Sequence, residues 1–348
     1  MDGLPDAERT RVPPGTIGAF VSDTVKRAYP LTERVADFLE QDSLEFRRLE
    51  PRAFPDGTTT TSADDVKRSV KDWYDRFGWR KNERGLYMDS ALFSQNKPVG
   101  HGLYEMMSHL SVLDRLPGGE FVLDAASGAM AHPEHLAYSW FYKSRICVDM
   151  SMTALMEADA KLRPSDFCFM ADICNLPFRD ETFDGAVSGY TIQHIPESQQ
   201  LSAVEELYRV LSPGAHLCIF TDIPYSRRHK VLLFTLRAFR KLLKTLRLVR
   251  RPSSPSDPRK NAEADPPHQL YFHSQKPSWW KEAARGLTDR YSIESLRLLN
   301  KFEFEWLYGR SNRAAKTLRW VESVFPRLTC GMSAYCLVDI YKPVQGDQ

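Results

Sequence analysis

Phe121-Val-Leu-Asp-Ala-Ala-Ser-Gly-Ala-Met130 decides how this chain is read. A run of buried-strand character ends on an acid, Asp124, and a small-residue turn with one glycine, Gly128, follows. Such a pattern places a carboxylate and bare backbone at the carboxyl end of a parallel strand, where open α/β sheets bind ligands. Further along, Arg145-Ile-Cys-Val-Asp149 and Phe167-Cys-Phe-Met-Ala-Asp172 also finish on acids. Three strands that each end in Asp describe a site as well as a fold.

The surrounding pattern alternates. Strands are expected at 120–124, 145–149, 167–171, 183–189 and 216–221, with helices at about 133–142, 151–162 and 197–211. This alternation indicates a parallel sheet with right-handed crossovers. The helix at 197–211 places Leu201, Val204, Leu207, Tyr208 and Leu211 on one face, and Ser212-Pro-Gly214 ends it. Upstream, residues 62–116 read as helical, from Ser62-Ala-Asp-Asp to the stop at Leu116-Pro-Gly-Gly119. The first 65 residues, rich in proline, read as an extension with a helix over Leu31–Phe46 and a loop from Asp56 to Ala63. Residues 252–269 read as a Pro/Ser-rich loop, then a helix near 278–287 and strands at 291–299 and 332–341.

Composition sets broad limits. With 348 residues, 42% hydrophobic and 26% charged, the chain is an ordinary globular one. A net charge of +2 gives no global pull toward nucleic acid, which is not an expected partner. Cys147, Cys168, Cys174, Cys218, Cys330 and Cys336 form no Cys-x-x-Cys pair and read as reduced thiols. Neither a signal peptide nor an apolar stretch of ~20 residues is seen, so a cytoplasmic location is expected.

The acids suggest a ligand. Carboxylates accept hydrogen bonds. Asp149 sits where dinucleotide folds place the acid that takes ribose hydroxyls, and Asp172 could meet an adenine amine. The turn departs from Gly-x-Gly-x-x-Gly, with Ala126 and Met130 where glycines would stand. Asp124 would repel a phosphate and attract a cation. A cofactor with an amino group and a positive centre fits better than a dinucleotide, so a Rossmann oxidoreductase is the weaker reading.

These stretches resemble the class I S-adenosylmethionine-dependent methyltransferases, type 11-like, across residues 71–222. Val122–Gly128 resembles the first motif, Val148-Asp-Met-Ser151 the ribose motif, and Ala171–Phe178 the adenine motif. Phe183–Ile195 resembles the fourth strand with its active-site loop, and Glu206–Gly214 the helix and turn before strand 5. The resemblance implies an α/β Rossmann-like fold: a seven-stranded sheet with an antiparallel last strand, an N-terminal helical extension and a helical lid after strand 5. It implies S-adenosyl-L-methionine as cofactor and methyl transfer by direct displacement. Expected domain bounds are 1–65 for the extension and 66–348 for the methyltransferase domain. Within the latter, 66–118 would cover the cofactor, 119–222 form the binding core, 223–272 the insertion and 273–348 the C-terminal helices and strands. The expected cofactor contacts are Asp124, Ala126, Ser127, Gly128, Asp149, Met150, Asp172, Ile173, Ser188 and Gly189. Tyr74, in the aromatic stretch Trp73–Trp79, is expected to cover the cofactor, with Tyr87 a lesser candidate, while Trp73 and Phe77 suit the core.

Tyr190 and His194 are the catalytic candidates, His194 as a general base or else a structural loop histidine. Asp184 and the Glu206/Arg209 pair read as structural. His132, Glu134 and His135 loosely suggest a metal, but a helix start beside the cofactor is the preferred reading, and no metal is expected.

Residues 227–251 carry ten Lys or Arg and no acid. A helical projection puts Val231, Leu232, Leu236, Phe239, Leu242, Leu243, Leu246 and Val249 on one face. Arg237, Arg240, Lys241, Lys244 and Arg247 fall on the other. Two readings stay open: a lid packed on the core with a solvated basic face, and an interfacial helix on the inner face of an anionic membrane. The acceptor class is a small molecule, a lipid or a lipid-linked group. A methyltransferase-like adaptor without catalysis is the rival.

Overall fold

The computed structural model describes residues 18–22, 27–32, 35–37, 62–83, 85–93, 99–245, 268–344 and 346. Three short N-terminal strands, β1 (Gly18–Ser22), β2 (Arg27–Thr32) and β3 (Val35–Asp37), precede helices α1 (Ala63–Trp73), α2 (Met88–Phe93) and α3 (His101–Leu110). Then come β4 (Gly119–Ala125), β5 (Tyr142–Asp149), α4 (Met152–Asp159), β6 (Phe167–Met170), β7 (Gly185–Gly189), α5 (Gln200–Arg209) and β8 (His216–Asp222). The chain continues through α6 (Arg227–Thr245), α7 (Pro277–Leu287), β9 (Tyr291–Arg297), α8 (Lys301–Tyr308), α9 (Asn312–Val324), α10 (Pro326–Cys330) and β10 (Tyr335–Tyr341).

The strand order is β1-β2-β3-β6-β5-β4-β7-β8-β10-β9. Strands β6, β5, β4, β7 and β8 are parallel, and β10 runs antiparallel to both β8 and β9. This is the expected seven-stranded core with its last strand reversed. After β6 the chain crosses over to β7, on the other side of β4, which makes the ends of β4 and β7 the switch point where such sheets open a crevice.

Packing follows from the strands' apolar content. One face buries Leu123, Ile146 and Ile219 under Val204 and Leu207 of α5 and Trp280 and Ala284 of α7. Val112, Leu116, Tyr138 and Phe220 fill the other face. Each buried Val, Leu, Ile or Phe among them contributes about 1.5–3 kcal/mol. Trp73 and Phe77 are core residues, as expected. Leu201 of α5, placed on the apolar face by periodicity, is instead exposed. Ser62 caps α1 as anticipated, with a reciprocal Ser62–Asp65 capping box.

Three expectations need correction. The described part of the helix expected over 31–46 is strand, Leu31–Thr32 and Val35–Asp37, and β3 pairs with the β6 edge. The rest of that segment, the loop at 56–61 and residues 246–267 lie outside the described residues. The helix expected at 133–142 is a shorter 3-10 stretch, Pro133–Ser139, because β5 starts at Tyr142. Finally, Arg240 is not on a solvated face. It is buried, with its guanidinium 4.7 Å from the Trp306 ring centre, while Val231 is exposed. The helix docks through His229, Leu233, Leu236 and Arg240, a stripe rotated from the one that hydropathy alone selects.

All six cysteines are unbridged thiols, five of them buried. Asp184 is structural: its Oδ2 accepts the Glu120 and Phe121 amides at 2.7 and 3.1 Å, holding the start of β4. Asp184→Ala is therefore expected to lower unfolding free energy by about 1 kcal/mol in urea titration, and Asp184→Asn, which keeps an acceptor, by less. Equal stability of Asp184→Ala and the parent would contradict this role.

Candidate functional site

A cavity opens at the carboxyl ends of β4, β5, β6 and β7. Its wall includes Asp124, Ala126, Ser127, Gly128, Asp149, Met150, Asp172, Ile173, Gly189, Tyr190, His194 and Tyr74. Of the expected contacts only Ser188 does not line it. Its hydroxyl is fully buried in β7 and has no hydrogen-bond partner. Tyr87 also lies off the wall, donating to Glu157 at 2.7 Å.

The turn after β4 is built from left-handed backbone. Ala126 (φ 55°), Gly128 (φ 57°) and Met130 (φ 49°) all adopt it. Two of the three are not glycine, at a cost of roughly 1–2 kcal/mol each. The turn is held from outside. Asp149 Oδ2 accepts the Gly128 amide at 2.9 Å, its Oδ1 accepts the Ser151 amide at 2.8 Å, and Lys161 binds the carbonyls of Ala129 and Met130. Trp79 covers Gly128 so closely that an added Cβ would sit 2.5 Å from its ring.

The acids are buried. Burial pushes the Asp149 carboxyl up to about 6, despite the two amide hydrogen bonds that oppose it. Asp124 is also raised by burial, with Arg145 pulling the other way. Its Oδ2 stands 3.6 Å from Arg145 Nε, and neither atom has a hydrogen-bond partner. Arg145 is fully buried, donating to the His135 carbonyl beside Met130. Asp172 accepts from Lys67 of α1 and from the Cys174 amide at 2.9 Å.

The cover is aromatic. Tyr74 starts a π-helical turn, Tyr74–Gly78, and stacks on Trp79 with ring centres 5.0 Å apart. Its ring meets His194 edge-on at 6.0 Å. His194 Nδ1 donates to the Tyr271 carbonyl at 2.8 Å, so Nε2 carries the lone pair. Burial lowers its pKa, which keeps the ring neutral. Tyr190, at φ 55°, closes β7 and has its hydroxyl 2.9 Å from both His109 Nε2 and Arg297. Lys67, Trp79, Asp89, His132 and His135 also line the wall. No strand-end rule points to them, since they come from covering elements or from the turn's far side.

Comparison with known proteins bears on this crevice. The family model described as a methyltransferase domain matches residues 123–219, from inside β4 to inside β8. Over this core the chain is similar to the methyltransferase domains that the family model describes. Demethylmenaquinone methyltransferase of Corynebacterium urealyticum is 34% identical over 107 residues, covering 31% of this chain and 43% of that protein. Sterol methyltransferase-like 1 of Botryococcus braunii is 35% identical over 72 residues, covering 19% and 18%. The chain thus spans less than half the length of these curated relatives. Among solved structures, phosphoethanolamine N-methyltransferase 2 of Haemonchus contortus superposes with a TM-score of 0.46 and 18% identity, over 84% of this chain and 62% of that one.

The strained turn yields a pair of opposite outcomes. Ala126→Gly relieves a left-handed alanine and is expected to raise stability by about 1 kcal/mol by thermal unfolding. Gly128→Ala forces Trp79 away and is expected to destabilise by at least about 1 kcal/mol. A destabilising Ala126→Gly would show that the turn does not store this strain.

Proposed function

We propose that this protein transfers a methyl group from S-adenosylmethionine, by direct displacement, to a small-molecule, lipid or lipid-linked acceptor. The observation that carries the reading is the Asp124 oxygen that has Arg145 3.6 Å away but no hydrogen bond, buried beside a turn of bare backbone. An unsatisfied buried acceptor is costly unless a donor arrives, and an ammonium group is the donor that fits a carboxylate. The same acid would oppose a pyrophosphate, which disfavours the oxidoreductase alternative.

When bound, the cofactor supplies a methyl on a positively charged sulfur, open to attack from the acceptor's side. Asp149 would accept ribose hydroxyls, and Asp172, shared with Lys67, would face the adenine amine. Tyr74 and Trp79 exclude water from the turn, and desolvation there strengthens the charge interactions. Gly189 and Tyr190 border the acceptor side. His194, with Nδ1 spent on Tyr271, would take the acceptor's proton at Nε2.

The lipid part of the reading rests on α6. Its outward face carries Arg227, Lys230, Arg237 and Lys241 with the exposed apolar residues Val231 and Phe234. Cations around exposed apolar side chains suit an anionic membrane surface. No described helix is long and apolar enough to cross a membrane. Vesicles containing anionic lipid are expected to co-sediment the protein at low salt, and a Lys230→Glu/Lys241→Glu variant to lose this. Equal recovery with neutral vesicles would remove the membrane reading while leaving methyl transfer untouched.

Calorimetry with S-adenosylmethionine and S-adenosylhomocysteine tests the core proposal. Both are expected to bind, and Asp149→Asn to weaken binding at least tenfold. Asp149, faced by Asp75, Asp124 and the Gly128 and Ser151 amides, must be ionised to accept two hydroxyls. Its value near 6 makes affinity fall as pH drops below 6, by up to about tenfold per unit, and stay level above 7. Its own contribution to the ligand-free stability runs the other way, rising as pH falls from 6 toward 4, because the folded form binds the extra proton. His194→Gln is expected to lower turnover by about 10²–10⁴-fold at unchanged S-adenosylhomocysteine affinity. Absence of binding by either ligand would sink the proposal. Tight binding without turnover on lipid or aqueous cell extracts would favour the adaptor.

A further inference from the structure

Beyond Tyr190 the cavity ends in a cluster of imidazoles. His109 comes from the last turn of α3, and His132, Glu134 and His135 come from the segment after β4. His109 Nδ1 lies 2.9 Å from Glu134 Oε1 and 3.2 Å from His135 Nε2. His132 Nδ1 stands 3.6 Å from the same Glu134 oxygen. The ligating atoms of His109, Glu134 and His135 all lie within 4.8 Å of one another.

One proton cannot satisfy this arrangement. If His109 Nδ1 carries a hydrogen, it can go to Glu134, and His135 Nε2 is left facing a donor already used. If Nδ1 is bare, its lone pair faces an acceptor-only carboxylate at 2.9 Å. A cation between the three atoms turns every one of these lone pairs into a bond. The two separations of 2.9 and 3.2 Å agree, since donors held ~2.0–2.1 Å from a zinc-sized ion stand about 3 Å apart.

The surroundings are those of a supported site. His109 Nε2 meets the Tyr190 hydroxyl at 2.9 Å, and that hydroxyl also accepts from Arg297, which pairs with Glu105 at 2.7 Å. The His109 ring stacks on Phe220 with an interplanar angle of 10°. A hydrogen bond on the second ring nitrogen and a packed face are what hold a ligating imidazole in place. His132 and His135 line the cavity, so one side of the cluster is open to it.

We propose that His109 Nδ1, Glu134 Oε1 and His135 Nε2 bind one divalent transition-metal ion, with an open coordination position facing the cavity. Two imidazoles and one carboxylate suit zinc or iron(II) rather than magnesium or calcium. Binding of the ion stands on the cluster alone. On the methyltransferase reading, the open position takes an oxygen or nitrogen of the acceptor.

The full-length protein, stripped with chelator, is titrated with cobalt(II) and followed by visible absorption, and with zinc by calorimetry. One equivalent is expected to bind, with cobalt d–d bands of a low-symmetry site. His135→Asn and Glu134→Gln, nearly isosteric, are each expected to weaken binding at least tenfold, with folding checked by circular dichroism. Zinc-edge X-ray absorption of the unmutated protein gives an answer that needs no variant, with imidazole scattering from two rings expected. No saturable binding, binding insensitive to both substitutions, or an edge spectrum without imidazole scattering would overturn the inference. Failure of S-adenosylmethionine to bind in a protein that still takes up cobalt would reject the methyltransferase reading and leave the metal site standing.

Discussion

The structure depends on two hydrogen bonds made by one carboxylate. Asp149 closes β5 and reaches across to the amide of Gly128 while holding the amide of Ser151. The first bond fixes the turn after β4 in a left-handed path that alanine and methionine would not choose. The second starts α4, whose Ser151 side chain caps the Ala154 amide and binds Asp75 of the covering segment. Turn, helix and cover are thus registered against each other through the end of a single strand. That anchor, with Lys161 on the Ala129 and Met130 carbonyls, opposes the strain at Ala126 and Met130.

Burial then sorts the charges of the crevice. Arg145 is fully buried beside Asp124, but their 3.6 Å approach leaves both facing atoms without a hydrogen bond. An ion pair so placed neutralises charge without satisfying it. A ligand that donates to this acceptor would offset its cost, and so would couple the stability of this region to binding. Asp172 differs, because Lys67 and the Cys174 amide already occupy it. The Asp172 end is therefore pre-satisfied by the covering helix, and the Asp124 end is not.

How far the sequence could be read follows from the same physics. Parallel strands buried on both faces leave continuous apolar runs, and the acid at each end stands out against them, so the order of the core and most of the crevice wall were legible. Ala126 and Met130 stood out as missing glycines, and both proved to occupy the conformation that glycine favours. What escaped depends on partners distant in sequence. Val35–Asp37 is a strand because the β6 edge offers hydrogen bonds, against a local pattern that suggests a helix. Arg240 is buried because Trp306 supplies an aromatic face, which no projection of one helix contains. His109 lies 25 residues before Glu134 and looks like a surface histidine of α3 until the fold brings the two together.

The two ends of the cavity therefore pose different chemical problems. At the Asp124 end a carboxylate oxygen, charge-paired with Arg145 but without a hydrogen bond, meets a wall of backbone and small residues. At the Tyr190 end imidazole rings and a carboxylate converge, with Arg297 turned toward Glu105 and the Tyr190 hydroxyl and Arg145 bound to the His135 carbonyl. A domain that merely held a nucleoside would need only the first. Tyr190, strained at φ 55°, is bonded to both His109 and Arg297. Strain persists only where surrounding contacts over-determine it, and here they fix a hydroxyl between the strand end and the histidine cluster. That placement argues for a second reactant beside the cofactor, and so for a catalyst over an adaptor.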